Sequence, residues 1–204
     1  MNITPITTTD PEIIEVAYQS LFDDNDYIKP VVKIEISGRS MSEPLQRVKL
    51  QSIVDEAFAK MQFANPPFEV NAVAPERTFL EKIFLLHEEF SKSGELIRTE
   101  RMSRHLYDLE KMASTDIAKK ALADKVLYEN IVEHRRIFIG LSGFDYDTLA
   151  PKAVKIIPPE SVFIQWQQDY ETMQRSMIYG KSLSFSNLID RIKELNKKIG
   201  EISW

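Results

Sequence analysis

The run from Ala74 to Phe90 constrains this chain more than any other stretch. Within it Phe79, Leu80, Ile83, Phe84, Leu85, Leu86 and Phe90 cover most of the circumference of a helix of 3.6-residue period, so the spacing predicts a helix buried on nearly every side. Lys82 lies in its middle. A lysine is seldom buried without a partner or a pocket, so such a helix delivers a cationic head to a particular place. Farther on, Arg101 to Met112 reads as a second helix. Arg104 and Asp108, four residues apart, share one of its faces, with His105 and Tyr107 beside them. On spacing alone, Lys82 and Asp108 read as an ion pair linking two helices.

The rest of the chain supplies a scaffold of mixed class. Ile13 to Leu21-Phe22 and Lys29 to Ser37 read as two strands of a hairpin around the turn residues Asp23-Asp24-Asn25-Asp26. Pro30 suits a strand start or a sheet edge. Leu45 to Leu50 predicts a third strand, Ile53 to Lys60 a helix, and Phe68 to Val73 a fourth strand running into the Lys82 helix. After Met112, Ser114 or Thr115 caps a single helix with Ile117, Ala121, Leu122, Val126, Leu127 and Ile131 on its apolar face. Gly140 to Pro159 is irregular. Helices follow over Glu160 to Met177 and Ser184 to Ile199, the first packing Tyr170, Met173 and Met177, the second with apolar residues at 185, 188, 189, 192, 195 and 199. The fold class is therefore α+β: a small N-terminal antiparallel or mixed sheet, then an α-helical bundle. The expected division is a β-rich part over residues 1–74 and a helical part over 75–204.

Composition removes several function classes. The 204 residues are enough for one domain, or one and a small second, with a substantial core. Lys and Arg number 26 against 31 Asp and Glu, for a net charge of −5, which argues against a general nucleic-acid coat but leaves room for a local basic site. With no cysteine there is no disulfide framework, thiolate nucleophile or cysteine-based zinc site. Neither a signal-peptide pattern nor an apolar membrane span is present, so a cytoplasmic location is the expectation.

Two phrases carry a resemblance. Pro75-Glu76-Arg77-Thr78-Phe79-Leu80-Glu81-Lys82 and Ser103-Arg104-His105-Leu106-Tyr107-Asp108-Leu109 resemble the second and third motifs of the AbiEii-type nucleotidyltransferases, the toxin half of bacterial abortive-infection toxin–antitoxin pairs. The resemblance runs from about Glu12 to the C-terminus. It implies a partial nucleotidyltransferase fold, in which Lys82 contacts the phosphates of a nucleotide and Asp108 lies beside it as the second catalytic residue. Arg77 and Arg104 are candidates for further phosphate contacts, since a planar guanidinium binds phosphate oxygens bidentately, although either can equally cap a helix or bridge carboxylates. His105 is a further candidate at the phosphates and a possible acid or base, whereas His87 reads as a packed helix residue and His134, beside Arg135-Arg136, as a solvated helix end.

The family typically holds Mg2+ or Mn2+ with an Asp-x-Asp that follows a Gly-Ser turn, and with a third acid from a neighbouring strand. Glu35, between Ile34 and Ile36, stands where that third acid would be. On alternation alone it reads as the solvent face of a half-buried sheet. The Gly-Ser turn and its Asp-x-Asp are not found. Asp24-Asn25-Asp26 reads as a loop, and Asp145 and Asp147 lie between a helix end and Pro151 rather than on a strand. The chain thus resembles a family member without its first motif, through truncation, a split across two chains, or degeneration, and no cofactor is assured for it alone.

Two functions compete. One is nucleotide transfer from a nucleoside triphosphate to an RNA acceptor, tRNA foremost by resemblance, in a toxin–antitoxin or phage-defence setting, by a chain incomplete for catalysis on its own. The other is a non-catalytic helical interaction protein derived from that family and binding an antitoxin-like partner. An incomplete sheet also predicts an exposed apolar face covered by self-association into a homo-oligomer, with no membrane involved.

Overall fold

The computed structural model describes residues 2–5, 11–21, 28–38, 41 and 43–204. Strands β1 (Asn2–Pro5), β2 (Glu12–Ala17) and β3 (Val31–Ile36) form one antiparallel sheet in that order. Its β2–β3 hairpin pairs Ile14 with Ile34 and Glu15 with Lys33. The expected turn at Asp23 to Asp26 lies outside the described residues, as do Arg39 and Ser40. A second antiparallel pair, β4 (Leu45–Leu50) and β5 (Phe68–Val73), is separated along the chain by the short helix α1 (Ile53–Ala57). The four expected strands are present. The Thr-rich opening, in which no strand was expected, contributes β1, and the strands divide into two sheets rather than one.

Six longer helices make the body: α2 (Pro75–Phe90), α3 (Ser103–Ala113), α4 (Asp116–Ala123), α5 (Lys125–His134), α6 (Phe163–Ser176) and α7 (Phe185–Gly200). Helix α2 begins with Pro75, whose missing N–H is no loss in a first turn and whose φ is already helical. It is packed by α3, α4 and α5, and α3 is packed in turn by α6 and α7. Phe79, Leu80, Ile83, Phe84 and Leu86 are completely buried, and no residue of α2 is exposed. Each such side chain contributes roughly 1.5–3 kcal/mol relative to exposure, which makes α2 the axis of the core. On α7 the apolar positions Phe185, Leu188, Ile189, Ile192, Leu195 and Ile199 are all buried, as their spacing predicts.

Three expectations about the helices need correction. The helix capped by Thr115 does not run through to Ile131. It stops at Ala123, and Asp124 starts α5 by accepting from the Leu127 N–H at 2.9 Å, because a short acceptor side chain at that position satisfies the next helix's open donors. The new axis leaves Val126 exposed instead of in the apolar face. On α6, Tyr170 and Met173 are buried as expected, but Met177 is the residue ending the helix and is 47% exposed. Trp166 is fully buried, and Trp204 packs on Tyr128 while donating from Nε1 to the Leu122 carbonyl.

Enclosure of α2 requires its buried charged groups to be met, and their partners come mainly from other elements. Glu88 accepts from Arg135 Nε at 2.7 Å and Nη2 at 2.5 Å, with both side chains largely buried. Arg135 opens a π-helical turn, Arg135–Ile139, that continues α5. The expectation of a solvated helix end at His134 to Arg136 therefore fails for Arg135, and His134 is half-buried with its ring stacked on Phe138. Burial pushes the Glu89 carboxyl up, but Arg98 and Lys92 outweigh that and hold it below the usual range. Arg98 donates to it from its backbone N, Nε and Nη2. His87 is a packed helix residue, as its setting in the sequence predicts. Its Nδ1 accepts from the Lys155 N–H, so Nε2 carries the proton and donates to Thr148 Oγ1 at 3.0 Å. Burial pushes this imidazole below its ordinary value.

Arg135→Met should cost about 3 kcal/mol in urea unfolding, because it strands the Glu88 charge inside the protein. Adding Glu88→Met to that variant should recover most of the loss.

Candidate functional site

Lys82 is the one lysine on α2, and its side chain is 20% exposed. Its stem follows the buried helix, and its ammonium sits 2.8 Å from Asp108 Oδ2 on α3. It also lies 3.4 Å from His105 Nδ1. An ammonium has only donors, so Nδ1 must accept and the neutral ring keeps its proton on Nε2. Asp108 and His105 take two of the three Lys82 donors, and among the described residues no acceptor meets the third.

Helix α3 is held in place from outside its own sequence. Its first residues carry no cap of their own. Asp169 of α6 accepts from the Arg101 N–H at 2.6 Å, the Ser103 N–H at 2.9 Å and Ser103 Oγ at 2.5 Å. These bonds hold Arg101 in the left-handed region at φ 58°, where the chain turns into the helix. Sequence reasoning missed this role of Asp169. A lone aspartate on a helix interior points to a distant donor but not to which one.

Arg104 is exposed and, among the described residues, makes no ion pair. It lines a cleft of about 680 Å³ between the first sheet and the bundle. Glu15, Lys33 and Glu35 line the sheet side, and Arg101, Gln168 and Asp169 are among the residues opposite. Lys82, His105 and Asp108 are not part of that lining. Arg104 is the expected site residue that connects the two groups, lying close enough to His105 for its charge to act on the ring.

Arg77 is placed elsewhere. It is 3% exposed and donates to the Met41 and Glu43 carbonyls and, from Nε, to Glu81 at 2.9 Å. Its Nε and Nη1 donors tie the connection before β4 to the first turn of α2, in a side chain that is almost wholly enclosed. This corrects the candidate role given to it from side-chain chemistry.

Glu35 faces away from Ile34 and Ile36, as the alternation requires, and pairs with Lys33 at 2.7 Å. A single carboxylate already neutralised by a lysine does not make a two-metal centre. Among the described residues no group of three metal-ligating side chains comes together. Asp145 caps a 3-10 turn over Tyr146–Leu149, and Asp147 pairs with Arg136 at 2.8 Å, so both have local structural partners. Asp24 and Asp26 lie outside the described residues. The donor set of the described residues does not fit the divalent ions that nucleotidyl transfer employs.

The chemistry available is therefore that of an anion site. Lys82 and Arg104 bring two positive charges against the single charge of Asp108, beside a neutral imidazole with an N–H to donate. Burial, then Lys82 and Arg104, push His105 from 6.5 down to about 4. That makes it a weak base at neutral pH, better suited to donating from Nε2 than to abstracting a proton.

Between pH 6.5 and about 4 the unfolded chain binds a proton at His105 that the folded chain does not, so stability falls as pH drops through that window. His105→Gln should flatten the fall in urea titrations at stepped pH, while the part due to His87, which burial shifts in the same direction, remains. An unchanged curve would contradict the burial assigned to His105.

The model of the family described as "Nucleotidyl transferase AbiEii toxin, Type IV TA system" matches residues 2–191. No curated protein and no solved structure matches the chain. No described helix is long and apolar enough to cross a membrane. A match over nearly the whole length, including both phrases that build the Lys82 cluster, establishes that the chain belongs to the AbiEii nucleotidyl transferase toxin family.

Proposed function

We propose that this chain carries the phosphate-binding part of a nucleotidyl-transfer site. The observation that carries the reading is the Lys82 ammonium, held by Asp108 and His105 with one donor unspent among the described residues, beside an Arg104 that makes no ion pair with any of them. Catalysis of phosphoryl chemistry is largely positioning and charge stabilisation. Lys82 would hold the phosphates and offset their charge, Asp108 would keep the ammonium oriented, and Arg104 with the His105 Nε2–H would supply further donors. The donor would be a nucleoside triphosphate and the acceptor an RNA, with tRNA the first to test, in a toxin–antitoxin setting where an antitoxin protein is the partner.

Mg2+ or Mn2+ would supply charge neutralisation across the phosphates when bound. Since the described residues do not cluster carboxylates for it, this chain would be incomplete for catalysis alone. Glu35 remains the carboxylate nearest to such a role, across the cleft from Arg104.

The second reading, a non-catalytic interaction protein, has one observation in its favour. From Leu45 to Val73 no residue is buried, yet Ile53, Val54, Phe58, Met61, Phe63 and Phe68 lie there, each more than half exposed.

A melting experiment separates the two. A nucleoside triphosphate at a hundred times its dissociation constant should stabilise the chain by about 2.7 kcal/mol, with or without magnesium, and Lys82→Ala should remove the effect. A wild-type chain whose melting point ignores every triphosphate would favour the interaction reading.

A further inference from the structure

Strand β3 is an outer strand, and among the described residues its only strand partner is β2. Its two faces are sharply different. Val32, Ile34 and Ile36 are 53%, 44% and 55% exposed on one face, while Lys33 and Glu35 lie on the other. Edge strands commonly carry a lysine that repels an incoming strand. Here Glu35 neutralises Lys33 at 2.7 Å, so that protection is lost. The result is an open hydrogen-bonding edge with three exposed aliphatic side chains and no net charge over Val31 to Ile36.

We propose that this edge pairs with the same edge of a second copy, antiparallel and centred on Ile34. A two-fold axis perpendicular to the sheet keeps like faces together, so it can pass only through a residue of β3 and not between two. Centred on Lys33, the pairing sets Lys33 against Lys33. Centred on Glu35, it sets Glu35 against Glu35. Centred on Ile34, it sets Lys33 of each copy against Glu35 of the other, Ile34 against Ile34, and Val32 against Ile36. Unlike charges directly opposite are favourable and like charges are not, so the charge pattern selects the Ile34 register. On the other face the same register brings the exposed aliphatic side chains into cross-strand pairs.

The dimer is a continuous six-stranded sheet with the clefts of both copies on one side of it. A pairing of six residues per strand buries less than a standard interface, so it is a concentration-dependent dimer and not an obligate one. It needs no ligand and does not depend on the proposed nucleotide site.

Charge exchange tests the register. In sedimentation velocity over a concentration series, wild type should dimerise, and Lys33→Glu and Glu35→Lys should each weaken dimerisation by about tenfold or more, because each sets like charges opposite twice. An equimolar mixture of the two variants should dimerise like wild type, since every acid of one chain then faces a lysine of the other. Misfolded variants cannot produce that rescue. A wild-type chain that stays monomeric throughout, variants that dimerise unchanged, or a mixture that stays monomeric would each overturn the proposal.

Discussion

The structure depends on the enclosure of α2. A helix with no exposed residue over sixteen positions leaves little of its charge to water, yet this one carries Glu76, Arg77, Glu81, Lys82, His87, Glu88 and Glu89. Glu81 is met by Arg77 of the same helix, but five are answered from elsewhere, and the answers decide where other segments lie. The connection before β4 comes to Arg77, α3 to Lys82, the loop around Thr148 and Lys155 to His87, the turn after α5 to Glu88, and the segment at Arg98 to Glu89. The core is apolar in its bulk, but its arrangement is specified by these polar contacts. Replacing one partner leaves an unmet charge and is costly, whereas the net stabilisation from each pair is modest.

Among these contacts the one at Lys82 differs in kind. Glu88 and Arg135 are matched one to one and largely closed from solvent, and Arg77 spends Nε and Nη1 on a carboxylate and two carbonyls. Lys82 has a carboxylate that is itself 42% exposed and a neutral ring in place of a second anion. The cluster is left cationic, and Arg104 adds to it. A purely structural pair has no need of a surplus charge. The site proposed here for a polyanion does.

Much of this was legible from local pattern. The period of the apolar residues located α2 and α7, the alternation around Lys33 and Glu35 located β3, and the spacing of Arg104 and Asp108 put them on one face of α3. A lysine within an apolar helix raised the question of its partner, and the family phrases supplied Asp108. The same question applied to Glu88 and Glu89 would have flagged them too, since both lie between Leu86 and Phe90. What periodicity could not supply was the identity of partners far along the chain: Arg135 for Glu88, Asp169 for Ser103, Met41 for Arg77. Those pairings depend on how helices pack, which local sequence does not encode. The break at Asp124 was missed for a related reason, because an apolar stripe can continue across a bend when both helices bury the same side. Strand β3 shows the opposite pattern to the bundle, with aliphatic residues outward and charges toward the cleft, so alternation located the strand but not which face meets the body.

On a buried helix, the Lys82 ammonium fixes the tautomer of a neutral imidazole at the site proposed for phosphate. Nitrogen-15 NMR of the His105 ring across pH, with and without a nucleoside triphosphate, tests this most directly. The account predicts a ring that is neutral at pH 7, protonated on Nε2, with an Nε2 resonance that moves when triphosphate is added. A ring protonated on Nδ1, charged at neutral pH, or indifferent to triphosphate would contradict it.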